Sequence, residues 1–283
     1  MVRAKKLKIT ILTDDTASSD KFVCEHGLSV FIELLNGHKW LMDTGTSDVF
    51  LENAKRLKLD LEGLHGITIT HGHDDHTGGL AFYHRIGSHP PVYAHPYIWH
   101  KSYQFKDGHP VRVTGIPFHA RRNISQYFHP VNDTVELDEG FYILTDIPRR
   151  PGSYEPIGGN FFNEDATGPV PFIDDASLAI KTSKGIVVVV GCAHAGYTNI
   201  LEAVERTFPE DKVLAVIGGL HLLNADEKVF EEAVTVTRRV AAKNFVFYGG
   251  HCTGNEAIAY FKKALGKAAV APLGTGRVIQ IKA

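Results

Sequence analysis

The hydrophobic pattern of the chain alternates between short apolar runs rich in β-branched residues and longer segments with helical spacing. Short apolar runs bounded by turn residues are typical of buried strands. They predict strands at 7–12, 28–35, 39–42, 66–70, 91–94, 178–180, 186–190, 213–217, 245–248 and 277–281. Apolar residues three or four apart predict helices at 49–57, from about 80, and at 199–207, 226–240 and 257–265. Strands alternating with helices predict an α/β protein.

The segment from about residue 95 to 175 departs from this pattern. It is rich in proline, glycine, histidine and aromatic residues and has little periodicity. Long connections inside a compact domain are commonly lids or binding loops, with a solvated insertion of no role as the alternative. We expect a single domain over 1–283 with this irregular, loop-rich middle at 95–175.

The strongest chemical signal follows the fourth predicted strand, where residues 70–79 read Thr-His-Gly-His-Asp-Asp-His-Thr-Gly-Gly. On an extended backbone, His71 and His73 point the same way and can bind one cation together. The chain then turns, so that Asp75 and His76 leave in another direction, suited to a second cation. Imidazole and carboxylate are ligands that zinc, manganese and iron accept. The stretch therefore predicts a metal site.

Three further histidines occupy the same kind of position, on a turn of small residues directly after a predicted strand. They are His194, His221 and His251. In layered α/β proteins the carboxyl ends of strands gather along one edge, where ligands and catalytic groups collect. We therefore expect histidines from distant parts of the chain to meet at that edge.

Composition and charge restrict the possible partners. Hydrophobic residues make up 43% and charged residues 22% of the chain, the balance of an ordinary globular protein. A net charge of −2 gives no reason to expect a nucleic acid or an anionic membrane as partner. The three widely spaced cysteines imply no disulfide framework and favour a reducing cytoplasm. The expected partner is a small anionic molecule, and the oligomeric state is not specified.

The His-x-His-x-Asp-His pattern formed by residues 71–76 resembles the metallo-β-lactamase-fold superfamily. The stretch Asp43-Thr44-Gly45 is similar to an earlier acidic motif of that family at a strand end, so the resemblance covers nearly the whole chain. It implies a four-layer αββα sandwich with a metal pair at one edge of the sheets. It also implies that Asp43 lies near the metals, as a ligand or as a support behind one, and that His251 is the final metal ligand.

Two departures from the family pattern concern ligands. The family's mid-chain Thr-Pro-Gly-His turn is replaced by Leu-Thr-Asp-Ile-Pro-Arg-Arg at 144–150, and its bridging aspartate turn by Gly-Cys-Ala-His at 191–194. We infer that His194 takes over a direct ligand position. The remaining position falls to His221, Cys192 or water, and the sequence does not choose among them.

Four short motifs narrow the resemblance to a subgroup described as 7,8-dihydropterin-6-methyl-4-(β-D-ribofuranosyl)aminobenzene-5′-phosphate synthase and its relatives. The motifs lie at 147–149, 191–194, 218–221 and 251–254. This resemblance implies a phosphorylated, pterin-type substrate. Arg149 and Arg150 are predicted to bind its phosphate, with a solvated arginine pair as the alternative. Ordinary packing is the expected role of Tyr154, Phe161 and Phe162, with stacking on a flat ring such as a pterin as the alternative.

The leading hypothesis is a hydrolase with two divalent cations, zinc being the first choice and manganese, magnesium or iron the alternatives. The assigned ligands are His71, His73 and His194 for one cation, and Asp75, His76 and His251 for the other. Such a pair lowers the pKa of a bound water to roughly 7 and polarises an ester or phosphoester oxygen. Asp74 or Asp75 would orient the nucleophile. The alternatives are a mononuclear iron dioxygenase on the same fold and a non-catalytic metal-binding module.

Overall fold

The computed structural model describes residues 6–106, 109–154, 156, 161–162 and 170–282, with only the backbone of residues 106, 161 and 162. In these ranges the strands are β1 (Lys6–Thr13), β2 (Ser29–Glu33), β3 (Lys39–Met42), β4 (Leu64–Thr68), β5 (Val92–Ala94), β6 (Tyr103–Lys106), β7 (His109–Val113), β8 (Phe128–Pro130), β9 (Thr134–Asp138), β10 (Phe141–Leu144), β11 (Phe161–Phe162), β12 (Ser177–Thr182), β13 (Gly185–Val190), β14 (Val213–Gly218), β15 (Ala241–Gly249), β16 (Val270–Pro272) and β17 (Val278–Lys282). The α-helices are α1 (Val49–Arg56), α2 (Asp74–Thr77), α3 (Phe118–Ile124), α4 (Tyr197–Thr207), α5 (Glu227–Val240) and α6 (Asn255–Leu265). Shorter 3₁₀ segments lie at Gly78–Ile86, Pro96–Trp99, His251–Thr253 and Lys267–Ala269.

Two seven-stranded sheets form the centre of the protein. Their strand orders are β17-β1-β2-β3-β4-β5-β8 and β16-β15-β14-β13-β12-β10-β9. Strands β3, β4, β5 and β8 pair in parallel in the first sheet, as do β13, β14, β15 and β16 in the second. Parallel neighbours need crossover connections, which α1, α4 and α5 supply. Each parallel block therefore carries several strand carboxyl ends to one edge of its sheet.

Three apolar cores separate the layers. Side chains of β1, β2 and β3 pack between the sheets against those of β10, β12 and β13. A second core joins α4, α5 and α6 to the outer face of the second sheet, and a third joins α1, α3 and the Gly78–Ile86 segment to the first. The order helices, sheet, sheet, helices confirms the predicted four-layer αββα sandwich.

The continuous apolar run of β13 follows from burial of both faces of its sheet. Val187 and Val189 point between the sheets, whereas Val188 and Val190 point toward the helices. All four side chains are buried. A strand covered on both faces needs no polar alternation, which is why this stretch reads as an unbroken β-branched run.

Most predicted elements lie within a few residues of the observed ones, and β3 has the predicted bounds. The segment 95–175 contains α3 and several strands of two to five residues. β16 was missed because three residues that end in proline are too few to show the hydrophobic alternation of a strand. None of the helices in the described ranges is both long and apolar enough to cross a lipid bilayer.

The helix predicted from about residue 80 is wrong, because Gly78–Ile86 forms a 3₁₀ segment instead. Close packing beneath it is the physical reason. A Cβ on Gly79 would lie 2.2 Å from the carbonyl oxygen of Thr44, so the backbone here rests directly on the loop after β3. That contact fixes the metal-binding motif against the loop that carries Asp43.

Candidate metal centre

The predicted histidines meet at one edge of the sandwich. β4 is followed by His71 and His73, β13 by His194, β14 by His221 and β15 by His251. β4 belongs to the first sheet and the other three strands to the second, so both sheets contribute to the site. The strand-end positions identified in the sequence are thus adjacent in space.

One group of side chains contains His71, His73 and His194. Nε2 of His71 lies 3.0 Å from Nδ1 of His73, and the ring centroids of His71 and His194 are 4.7 Å apart. All three side chains are buried. Nδ1 of His194 donates to the carbonyl oxygen of Pro156 at 3.2 Å, while its Nε2 is buried with no hydrogen-bond partner among the described residues. The structure therefore places these three residues together, with one nitrogen of His194 available to a ligand.

A second group contains Asp75, His76 and His251. The Nε2 atoms of His76 and His251 are 3.2 Å apart. Oδ2 of Asp75 lies 3.4 Å from Nε2 of His251 and 3.6 Å from Nε2 of His76. The sulfur of Cys192 lies 3.2 Å from Nε2 of His76. All the polar atoms assigned to the second cation thus face one another.

Burial sets the protonation of these groups. It lowers the pKa of His71 and of His194 well below the usual value, and neighbouring imidazoles lower both further. Burial also lowers the pKa of His73 to about 4. Burial alone would raise the pKa of Asp75, but His76 and other nearby imidazoles bring that pKa well below its usual value. At neutral pH His71, His73 and His194 are therefore neutral and Asp75 is ionised, the forms that bind metal. His251 differs, because burial alone would lower its pKa but Cys252, Asp15 and Asp75 raise that pKa well above its usual value.

Asp43 holds two of the histidines from behind. Its Oδ2 accepts from Nδ1 of His76 at 2.7 Å and from the hydroxyl of Thr70 at 2.7 Å, and its Oδ1 accepts from the backbone N–H of Thr70 at 2.8 Å. The same hydroxyl oxygen lies 3.1 Å from Nδ1 of His71. With both Nδ1 protons held this way, the Nε2 lone pairs face the site. This geometry favours the supporting position for Asp43 over the ligand position.

Strained backbone also shapes the site. Asp43, His221 and His251 have positive φ angles of 55°, 46° and 46°. Left-handed conformations cost of order 1 kcal/mol or more in residues other than glycine and concentrate at functional sites. Here they turn the chain sharply after β3, β14 and β15.

Two residues of the site were missed by sequence reasoning, Asp15 and His26. Oδ1 of Asp15 lies 2.7 Å from Nδ1 of His251, and its Oδ2 lies 2.9 Å from Nδ1 of His26. Nε2 of His26 approaches Oδ2 of Asp75 at 3.4 Å. The polar turn after β1 could have given the signal, because β1 runs in the same direction as β3 and β4 and ends at the same edge.

A cavity of about 200 Å³ opens beside the histidines. Its lining is His26, His73, Asp74, Asp75, Gln104, Arg112, Thr114, Cys192, His221, His251 and Cys252. Gln104 and Arg112 are cross-strand partners in the hairpin of β6 and β7, so the middle segment supplies one wall. Arg112 forms an ion pair with Asp74, one of the two aspartates predicted to orient a nucleophile.

The two arginines predicted to bind phosphate lie elsewhere in the described part of the chain. Arg150 forms ion pairs with Glu232 on α5 and Glu202 on α4. Arg149 donates to the carbonyl oxygen of Phe172 at 2.7 Å. Neither appears among the described residues that line the cavity. The side chains of Phe161 and Phe162, for which stacking on a flat ring was the alternative to ordinary packing, lie outside the described residues.

The donor set fits divalent cations. Four groups of three potential ligands among the described residues have donor atoms within 4.8 Å of one another, and two of them are His71, Cys192 and His194, and His76, Cys192 and His251. Nδ1 of His221 is a second buried nitrogen with no hydrogen-bond partner among the described residues. Buried imidazole, carboxylate and thiol groups suit zinc and neighbouring transition metals better than magnesium, which prefers oxygen ligands.

Known proteins share both the sequence and the architecture. A family model for the metallo-β-lactamase superfamily matches residues 23–198. The chain is 28% identical over 278 residues to the 7,8-dihydropterin-6-methyl-4-(β-D-ribofuranosyl)-aminobenzene-5′-phosphate synthase of Methanocaldococcus jannaschii, covering 90% of each chain.

Solved structures agree with these sequence matches. The crystal structure of Tm1679, a metal-dependent hydrolase of the β-lactamase superfamily, matches with a TM-score of 0.82 and 27% identity, covering 98% of this chain and 100% of that one. Zinc-bound PqqB from Methylobacterium extorquens shares the fold, with a TM-score of 0.56 and 11% identity over 97% of this chain and 100% of that one. The resemblance drawn from the motifs is confirmed, and this fold implies divalent metal binding. The chain belongs to the metallo-β-lactamase superfamily.

Proposed function

We propose that the protein is a metal-dependent hydrolase that holds two divalent cations and acts on an ester or phosphoester of a small anionic molecule. The observation that carries this proposal is the meeting of histidines from four strand ends beside a cavity, with those that follow β4 and β13 buried. His71, His73 and His194 would hold one cation, and Asp75, His76 and His251 the other. Zinc suits this mixture of nitrogen, oxygen and sulfur donors.

Bound cations would polarise the scissile oxygen and lower the pKa of water. The residues of the chain prepare the site for that chemistry. Asp43 fixes the Nδ1 protons of His76 and, through Thr70, of His71. Asp15 fixes the Nδ1 proton of His251 in the same way. Such carboxylate–histidine contacts orient metal ligands, and losing one typically costs about 10- to 100-fold in metal affinity or activity.

The cavity indicates which part of the substrate is bound. About 200 Å³ is smaller than the roughly 300–1,000 Å³ typical of pockets that enclose drug-sized ligands. The cavity therefore suits the scissile group, with the rest of the substrate extending outward. Arg112 on the wall offers a guanidinium to phosphate oxygens. A phosphorylated pterin-type molecule is the specific candidate, because the M. jannaschii relative is named for one.

Metal analysis and a substrate panel test the proposal together. Purified protein would be assayed for bound metals and for turnover of phosphomonoesters, phosphodiesters and carboxylic esters. We expect two cations per chain, and we expect His71→Ala and His76→Ala each to lose bound metal and on the order of 100-fold or more in turnover. His129→Ala, which removes an exposed histidine of β8, is the matched control and should behave like the wild type. Full metal content and turnover in both site variants would contradict the proposal.

Oxygen-uptake and ligand-binding assays, added to these measurements, separate the two alternatives. A single iron per chain with substrate-dependent oxygen uptake would indicate the dioxygenase. Bound metal with no turnover across the panel, together with tight binding of an anionic ligand, would indicate the binding module. Either result would replace the hydrolase proposal.

A further inference from the structure

The thiol of Cys192 lies where the two groups of histidines meet. Its sulfur forms one group of potential ligands with His71 and His194, and a second group with His76 and His251. In each group the donor atoms lie within 4.8 Å of one another. Cys192 is the member that the two groups share, so a cation in either group has this sulfur within reach.

We propose that Cys192 is a bridging thiolate that binds both cations, an inference that rests on the two-cation site proposed above. A thiolate sulfur has several lone pairs and is a strong ligand for zinc and other soft divalent metals. The shared position needs a negative charge to hold two cations close together. Asp75 does not supply it, since its carboxylate pairs with His76 and His251 and forms no ion pair with His71 or His194 among the described residues.

The backbone around Cys192 fixes the sulfur at this junction. A Cβ on Gly191 would lie 2.2 Å from the hydroxyl oxygen of Thr70, so the end of β13 packs directly on the residue before His71. The carbonyl oxygen of Gly191 accepts from the backbone N–H of Gly219 at 3.0 Å. The turn is therefore tied to β4 in one sheet and to the end of β14 in the other.

Buried donor atoms around the sulfur point to a ligand independently of the cysteine. Nε2 of His194, a residue that is 1% exposed, has no hydrogen-bond partner among the described residues. Leaving a buried polar nitrogen unsatisfied costs about 1–3 kcal/mol, which a bound cation would recover. The thiol of Cys192 donates its proton to Nε2 of His76 across 3.2 Å. Metal binding would displace that proton, as it does from coordinating thiols generally.

Cys252 offers a competing arrangement. Its sulfur lies 3.3 Å from that of Cys192, and the two form a third group of potential ligands with His221. A single cation held by these three residues would make Cys192 a terminal ligand instead of a bridge. The sulfur of Cys252 already accepts from the backbone N–H of His221 at 3.2 Å and belongs to one group only. The bridge is therefore assigned to Cys192.

Cobalt substitution tests the assignment without relying on activity. Metal-free protein would be loaded with Co²⁺ under anaerobic conditions, in a Cys24→Ser background that removes the one exposed cysteine among the described residues. Cobalt per chain is measured after dialysis, the near-ultraviolet sulfur-to-cobalt charge-transfer band by absorption, and spin coupling between the two ions by electron paramagnetic resonance. Cys192→Ser and Cys252→Ser are compared in the same background, with circular dichroism to verify their folding.

We expect two cobalt ions per chain, a charge-transfer band and coupled spins in the parent protein. Cys192→Ser should lose the band and the coupling, whereas Cys252→Ser should retain both. Two cobalt ions without a band in the parent would overturn the bridge and leave the proposed hydrolase standing. A band lost in Cys192→Ser with coupling unchanged would show a terminal thiolate, and a band lost only in Cys252→Ser would assign the sulfur ligand to Cys252. Fewer than two cobalt ions in the parent protein would count against the two-cation site itself. Because the parent measurements need no variant, misfolding of Cys192→Ser does not remove the test.

Discussion

Replacing Asp43 with asparagine should weaken metal binding without removing any assigned ligand. The carboxylate accepts from His76 directly and from Thr70, whose hydroxyl oxygen accepts from His71. An amide nitrogen in place of Oδ2 would donate instead of accepting. Nδ1 of His76 would then become the acceptor, and its proton would move to Nε2, the atom that faces the site. Reversal of the Thr70 hydroxyl would move the proton of His71 in the same way.

The magnitude follows from the number of hydrogen bonds that must be broken to restore the ligating tautomers. Each such bond contributes about 1 kcal/mol, and two histidines are affected, so metal binding should lose about 2 kcal/mol. At about 1.4 kcal/mol per tenfold, the dissociation constant should rise roughly 30-fold. This value lies within the roughly 10- to 100-fold loss of metal affinity or activity that is typical when such a carboxylate–histidine contact is removed.

Competition with a chromophoric zinc chelator at neutral pH would measure the effect, and urea unfolding of the metal-free proteins would report on the fold. Asp138→Asn is the matched control. Asp138 also accepts from a histidine Nδ1, that of His38 at 2.7 Å, but it lies in β9 and does not line the cavity. The control should bind zinc like the wild type. Zinc affinity of folded Asp43→Asn within twofold of the wild-type value would refute the tautomer argument.

Three further predictions concern the scaffold and the cavity. Gly79→Ala should lower the free energy of unfolding by about 1–3 kcal/mol, because the new Cβ would lie 2.2 Å from the carbonyl oxygen of Thr44. Urea titration measures this change, and an unchanged free energy of unfolding would show that the loop after β3 moves aside at no cost. Arg112→Met should raise KM for an anionic phosphoester about tenfold with little change in kcat, whereas Arg150→Met should leave both unchanged; steady-state kinetics that gave the reverse would assign the phosphate to Arg150. Burial alone would raise the pKa of Asp138, but hydrogen bonds, chiefly from Trp40 and His38, lower that pKa below its usual value. The ionised carboxylate therefore stabilises the fold above about pH 4, and this contribution to stability is lost as the pH falls further. Asp138→Asn should therefore lose less stability than the wild type between neutral and acidic pH, and parallel unfolding curves at every pH would contradict this.

The sequence alone determined the alternation of strands and helices and the position of the metal motif, because both depend on local patterns, whereas the four-layer arrangement was implied by the family resemblance. The continuous apolar run of β13 indicates that both faces of its sheet are buried, and this holds for any choice of neighbouring strands. The His-x-His-x-Asp-His stretch places several ligands within six positions of one another, so no long-range contact is needed to recognise it. The 3₁₀ segment after this motif was misread as a helix because its conformation depends on a loop contact made by Gly79, which periodicity does not record.

Only the tertiary structure decided which distant residues complete the site. Asp15 and His251 are 236 positions apart and meet because β1 and β15 end at the same edge of different sheets. Arg112 lines the cavity through a hairpin in the segment where the sequence showed little period, whereas Arg150 is held by α4 and α5. Hydrophobic period fixes which face of a strand is buried, but it contains no information on strand order or direction. The contacts of Asp15 and the place of Arg112 in the cavity wall depend on that order, and so they were found only in the packed structure.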